Sequence, residues 1–136
     1  MNIDGLRIYL AGPMNSVGGN FNFPLFDHVA RKLRDIGGQV YSPADHARDE
    51  LGSLEDIQML PKEVMKDARR QLMQDELNWI CMHAQLVLML PGWKQSPGAR
   101  AEREVALAIG KKVIELPNII MPIDSLDFSK LLTVEE

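Results

Sequence analysis

Residues 90–102, LPGWKQSPGARAE, follow directly on the apolar run LVLML at 86–90, and their reading decides the fold. A continuous apolar run closed by Pro91-Gly92 makes a short buried strand that leaves through a turn. Beyond the turn, Ser96 stands where a helix N-cap belongs, with Pro97 at the first helical position and Gly98 beside it. The stretch 98–110, GARAEREVALAIG, then reads as a helix stopped by Gly110. Strand, turn-rich exit and capped helix form one βα unit, and a strand without polar alternation is the kind covered on both faces.

The same grammar extends in both directions. LRIYLAG at 6–12 is another buried strand, ended by Gly12-Pro13. FPLFDHVARKLRDIGG at 23–38 places Phe26, Val29, Leu33 and Ile36 at helical spacing and stops on Gly37-Gly38. QVYSPAD at 39–45 holds a brief strand, because Val40 and Tyr41 precede Pro43, and the polar segment 44–60 reads as an irregular surface excursion. From about Pro61 to Ala84 a long helix is expected, with Val64, Ala68, Leu72, Leu77, Ile80 and Ala84 toward a core. KKVIEL at 111–116 supplies a fourth strand, and the tail, with IIMPI and SLDFSKLLTV, is expected to add an edge strand and a short helix. Alternating strand and helix predicts one α/β domain over 1–136: a small doubly wound, Rossmann-like or flavodoxin-like parallel sheet of four to five strands with helices on both faces. Ligands of such sheets sit outside the strand carboxyl ends, where strand order reverses. Both AGPMNSVGGN (11–20) and PGWKQSPGA (91–99) leave strand carboxyl ends.

Composition narrows the partners. With 136 residues, 46% apolar and 25% charged, the chain has the profile of a soluble globular domain able to bury one core. A formal net charge of −4 gives no support to a binder of nucleic-acid polymers, so any nucleotide bound is expected to be small. The single Cys81 excludes an internal disulfide and, with three His, argues against a zinc cluster; no metal and no cofactor are expected. No apolar run is long enough to span a membrane, and the opening MNIDGLRIYLAG lacks the basic start and cleavage region of an export signal. A cytoplasmic location is the corresponding expectation.

The chemistry-bearing residue of the quoted stretch is Glu102. At roughly 100° per residue, Gly98, Ala99, Val105, Ala106 and Ile109 fall within about 60° of it, whereas Arg100, Glu104 and Lys111 fall near the opposite face. An ionised carboxylate on an apolar arc is costly without partners. It serves either as an ion-pair member in the core or at a subunit contact, or as a nucleophile or general acid/base at the floor of a pocket. Ser96-Pro97-Gly98 is a sufficient helix cap, and it is also an anion site of the kind that suits a phosphate. The turn GPMNSVGG at 12–19, which opens on Gly12, Pro13 and Met14, offers more backbone N–H groups and small residues at the neighbouring strand end, without the spacing of a dinucleotide fingerprint or the Lys of a P-loop. Trp93, Trp79, Tyr9, Phe21, Phe23 and Met14 are candidate walls for a base, or core. Asn20 and Asn22 either bond a ligand or shape their turn. His28, His46 and His83 show no ligand spacing, and Arg69-Arg70 reads as a solvated helix face.

RIYLAGPM, NFPLFDHVARKLRDIGGQVYSPAD, ELNWICMHAQLVLMLPGW and SPGARAEREVALAIG together resemble the nucleoside 2-deoxyribosyltransferase-like superfamily, from about residue 6 to 116. They are most similar to its small, often phage-encoded branch with AGPM and LPGW..S.GA..E motifs. The resemblance implies that Glu102, in the pattern S/D-x-G-x-x-x-E, attacks C1′ of a deoxyribosyl group, displaces the base and forms a glycosyl ester. It implies that Ser96 and Gly98 hold the sugar's 5′ end. It also implies an acid on the preceding helix to assist the leaving base, and here Asp75-Glu76-Leu77-Asn78 replaces the usual Asp-Leu-Asn. Glu76 takes the matching place with Asp75 beside it, and the choice between them stays open. Ser at 96, where relatives acting on free nucleosides carry Asp, points to a 5′-monophosphate, since a carboxylate repels phosphate and a hydroxyl with helix amides accepts it. Relatives assemble as dimers or larger homo-oligomers, for which the helix 61–84 offers a contact face.

Three other readings stand beside this one. A free-nucleoside deoxyribosyltransferase would use the same ester and a base as acceptor. A cytokinin-releasing phosphoribohydrolase needs P-G-G-x-G-T-x-x-E, whereas here Pro91 and Glu102 lie three residues further apart and no Gly-Thr pair precedes the Glu. A binding module would hold a nucleotide without turning it over, which leaves Glu102 on its apolar arc unexplained.

Overall fold

The computed structural model describes residues 2–14 and 19–117. Strands β1 (Arg7–Ala11), β2 (Gln39–Tyr41), β3 (Leu86–Met89) and β4 (Lys112–Glu115) form one parallel sheet in the order β2-β1-β3-β4. The helices are α1 (Phe23–Asp35), α2 (Pro43–Leu51), α3 (Leu54–Gln58), α4 (Lys62–Met82) and α5 (Pro97–Ala108), with a short 3-10 turn at Trp93–Gln95. The expected α/β architecture is thus present with four strands. The expected tail elements lie outside the described residues.

Alternate strand residues build two cores. Ile8, Leu10, Leu86 and Leu88 face α1 and bury Phe26, Val29 and Leu33, together with Ala44 and Ala47 of α2 and Ile57 of α3. Tyr9, Ala11, Val87 and Met89 face the other way, against Ile80 of α4, Ala84 just beyond it, and Ala99 and Ala106 of α5. Burial of both faces is why β3 could be written as an uninterrupted apolar run.

On the second face Ala11, Ala84, Ala99 and Ala106 alternate with larger residues such as Tyr9, Ile80 and Met89, and the alanines let α4 and α5 lie close to the sheet. Both helices run back against the strands, so their N-termini point toward the strand carboxyl ends. From β1 the chain turns toward β2, and from β3 it turns toward β4, so strand order reverses between β1 and β3. Gly12 follows β1 at this point, and a Cβ there would lie 2.9 Å from Cβ of Leu90, a clash that glycine avoids.

Two expectations are corrected. Residues 44–60 are the helices α2 and α3, not an irregular excursion. Pro43 opens α2, Ala44 and Ala47 are buried on it, and Ser53 with Asp56 forms a reciprocal capping box that starts α3. On α4, Leu72 and Ile80 are buried and Leu77 is partly so, but Val64 is exposed, because the first turn of the helix presents Met65 to the core instead. No described helix is long and apolar enough to cross a membrane.

Candidate active site at the strand carboxyl ends

A cleft of about 230 Å³ opens where the strand order reverses. Gly12 and Met14 follow β1 into it, Phe21 and Phe23 come from the start of α1, and Ser96, Gly98, Ala99 and Glu102 from the start of α5. The helix α4 contributes Met65, Arg69, Leu72, Met73 and Glu76, a set of i, i+4 and i+7 neighbours on one face.

Glu102 is 5% exposed and Glu76 8%, yet both line this cleft. Burial of Glu102 follows from the apolar arc of α5, and burial of Glu76 from its place between Leu72 and Ile80 on α4. The two carboxyl groups line the same cleft and act on each other's ionisation. Tyr9 of β1 donates its hydroxyl to Oε2 of Glu102 at 2.7 Å. Desolvation raises both carboxyls above the usual range, and the charge of Glu76 adds to the rise at Glu102. Glu76 is pushed up to about 7. Two carboxylates in contact cannot both ionise cheaply, so the pair holds one proton near neutral pH. Donation from Tyr9 opposes the rise at both carboxyls, and the pair shares its proton. Tyr9 itself, pushed up by burial and by the charge of Glu102, stays a phenol and remains a donor.

Aromatic rings back the pair. Tyr9 stacks on Tyr41 at 5.4 Å between centroids, and Trp79 lies 5.1 Å from Tyr41. This packing holds Tyr9 in its donating orientation and limits water behind the carboxyls. At the entrance, Phe21 and Asn22 adopt left-handed backbone, with φ of 55° and 62°. Asn22 Nδ2 donates to the Pro13 carbonyl and its backbone N–H to Asn20 Oδ1, both at 2.9 Å. These bonds hold the strained turn that brings the Phe21 ring to the cleft, where it meets Phe23 at 5.9 Å.

Several candidates from the sequence therefore stand together: Glu102, Glu76, Ser96, Gly98, Gly12, Met14 and Phe21 all line the cleft. Ser96 also caps α5, its hydroxyl accepting from the Ala99 N–H at 3.2 Å. Others stand apart. Asp75 faces away, 2.8 Å from Nε2 of His46 and hydrogen-bonded by Gln71. Pro13 and Asn20 shape the entrance turn without lining the cleft. Trp93 is carried off by the 3-10 turn after Gly92 and packs under the Arg103 guanidinium, 4.9 Å from its ring centre, beside Glu115 and Leu116.

Sequence reasoning assigned no site role to Met65, Arg69 or Met73, and Arg69 was read as solvated. The i, i+4 relation of Met65, Arg69 and Met73 to each other and of Leu72 to Glu76 was the available signal. His46, passed over for lack of ligand spacing, is four residues before Glu50 on α2. With Asp75 these two offer donor atoms within 4.8 Å of one another, a set able to take a divalent cation, and none of the three lines the cleft.

The family profile "Domain of unknown function (DUF4406)" matches residues 6–115, which include the whole sheet, the cleft and both buried glutamates. The chain belongs to this family. No curated protein matched the chain at a significant level.

Proposed function

We propose that this protein cleaves the N-glycosidic bond of a 2′-deoxynucleoside 5′-monophosphate through a glycosyl ester on Glu102. One observation carries the reading: a buried carboxyl lines an open cleft, accepts a hydrogen bond from a tyrosine and stands beside a second buried carboxyl, and the pair keeps a proton near neutral pH. The resemblance to nucleoside 2-deoxyribosyltransferase-like proteins, carried by the Ser96-to-Glu102 motif, supplies the substrate class.

In the first step an oxygen of Glu102 bonds to C1′ as the bond from C1′ to the base nitrogen breaks. The bonding electrons leave with the base, and Glu76 delivers its proton to the base. Carboxylate charge at the floor of the cleft stabilises the oxocarbenium character of the sugar in passage. In the second step water attacks C1′, Glu76, now ionised, takes the proton, and Glu102 leaves as carboxylate. A second base in place of water gives transfer by the same ester. The apolar walls of Met14, Phe21, Phe23 and Met73 suit a planar base, while Tyr9 holds the nucleophile in one orientation. Homo-oligomeric assembly belongs to the same reading, and the exposed Val64, Met82 and Leu107 on α4 and α5 are apolar surface available to it.

Chromatography of the four deoxynucleoside 5′-monophosphates after incubation tests the reading. Free base is expected from at least one of them, with loss of at least about 10³-fold in Glu102→Gln. Adding an acceptor base then separates the two outcomes, since only transfer makes a new nucleotide. Tight binding without base release would mean a binding module instead.

A further inference from the structure

The lining of the cleft changes character with depth. Its floor holds the carboxyls of Glu76 and Glu102, its walls are largely methionine and phenylalanine, and Arg69 is the cation among its lining residues. The position of Arg69 follows from how α4 and α5 pack. Glu76 meets Glu102, and one turn earlier Met73 Cε lies 3.4 Å from where a Cβ on Gly98 would be. The two helices run side by side in the same direction, so one further turn brings Arg69 level with Ser96. Arg69 is seven residues, about 10 Å, above Glu76 along α4, and Ser96 is six residues, about 9 Å, above Glu102 along α5. The cation and the α5 cap thus mark one end of the cleft and the carboxyl pair the other.

Arg69 is also spare. Among the described residues Arg34, Arg48, Arg70 and Arg103 each have a carboxylate partner, and Arg69 has none. Its sequence neighbour Arg70 does face solvent beside Asp67, as a helical step of about 100° requires when Arg69 is turned to the cleft.

We propose that Arg69 selects a phosphorylated sugar, its guanidinium taking the 5′-phosphate of the substrate opposite the Ser96–Gly98 turn. This rests on the N-glycosidic reading above and adds to it the residue that decides between nucleotide and nucleoside. The charge pattern gives the reason. A floor that carries negative charge repels a phosphate, so the anion enters last and stays near the mouth, while the anomeric carbon goes in first. A planar guanidinium can hold two phosphate oxygens at once, which fixes the sugar's direction as well as its charge. Because Arg69 is exposed, the contact is screened by salt.

The test compares base release from deoxynucleoside 5′-monophosphates and from the matching free deoxynucleosides in wild type, Arg69→Lys, Arg69→Gln and Arg69→Glu. The ratio of kcat/KM for monophosphate over nucleoside is expected to fall roughly 10- to 100-fold in Arg69→Gln, the scale of one charge-assisted hydrogen bond, and mainly through KM. Arg69→Lys recovers part of the ratio, Arg69→Glu lowers it further, and the wild-type KM for the monophosphate rises with ionic strength. An unchanged ratio, or equal loss on both substrate classes, overturns the assignment and leaves the glycosidic reading in place. If wild type releases no base from any substrate, that reading fails by itself. Calorimetric titration with deoxyribose 5-phosphate and with deoxyribose then decides about Arg69: affinity that depends on the phosphate and vanishes in Arg69→Gln supports it, and affinity indifferent to either overturns it.

Discussion

Asp75 and Glu76 occupy consecutive positions of α4, yet Asp75 is partly exposed and pairs with His46 and Gln71, whereas Glu76 is buried against Glu102 and Tyr9. Hydrogen bonds from His46 and then Gln71 hold the Asp75 carboxyl below its ordinary value, and desolvation lifts that of Glu76. One residue of helix is a turn of about 100°, enough to move a carboxyl from a wet ion pair to the floor of a cleft. Of the two acids left open by the DELN sequence, the structure brings Glu76 to Glu102. Only a carboxyl that keeps its proton near neutral pH can give one to a departing base, so the same step of helix separates a candidate acid from a surface contact.

Substitution is the sharpest way to break this contrast. Glu76→Gln is expected to lower base release by roughly 10²-fold or more, the usual cost of losing a general acid. A good leaving group that needs no proton should recover much of that loss, and absence of recovery would remove Glu76 from the acid role. Tyr9→Phe, which deletes one donor to a charged acceptor, is expected to cost about 10-fold in kcat with little change in KM. Asp75→Asn should stay within about fivefold of wild type, as expected for an exposed pair. If Asp75→Asn were the more damaging of the two neighbouring changes, the assignment would be reversed.

A smaller effect follows from the raised carboxyls. The folded chain keeps protons that the unfolded chain releases above the ordinary Glu value of 4.5, so the folded state binds more protons between that value and about 7. Stability conferred in acid is therefore lost as pH rises through this window. The melting temperature of the ligand-free protein should decline from about pH 5 to about pH 8, and Glu76→Gln should flatten the decline. Under the proposed mechanism kcat/KM should fall over the same range as Glu76 loses its proton, and Glu76→Gln should lose that limb.

Much of the frame was legible because its signals are local. The apolar run 86–90, the Ser-Pro-Gly cap and the stop at Gly110 announced β3 and α5 at nearly their observed places. Glu102 could be singled out because one charge on an apolar arc stands out at the helical period. The helices α2 and α3 were missed because their charged surfaces dominate the sequence, while few residues, Ala44, Ala47 and Ile57 among them, make their buried contacts. Trp93 illustrates the opposite failure. Its place at the strand exit suggested a wall for a base, or core, but a left-handed Gly92 and one turn of 3-10 helix send the ring to Arg103.

From the sequence alone came the parallel α/β architecture, the strand ends that would carry a site, and the one glutamate that had to be buried. These depend on periodicity and turn chemistry, which act over a few residues. Only the tertiary structure decided which carboxyl meets Glu102, that Tyr9 donates to it from β1, and that Arg69 lines the same cleft as Ser96. Those relations depend on how α4 is rotated and slid against α5 and the sheet, and that rotation is set by packing large and small side chains across the whole face, a property no local stretch contains.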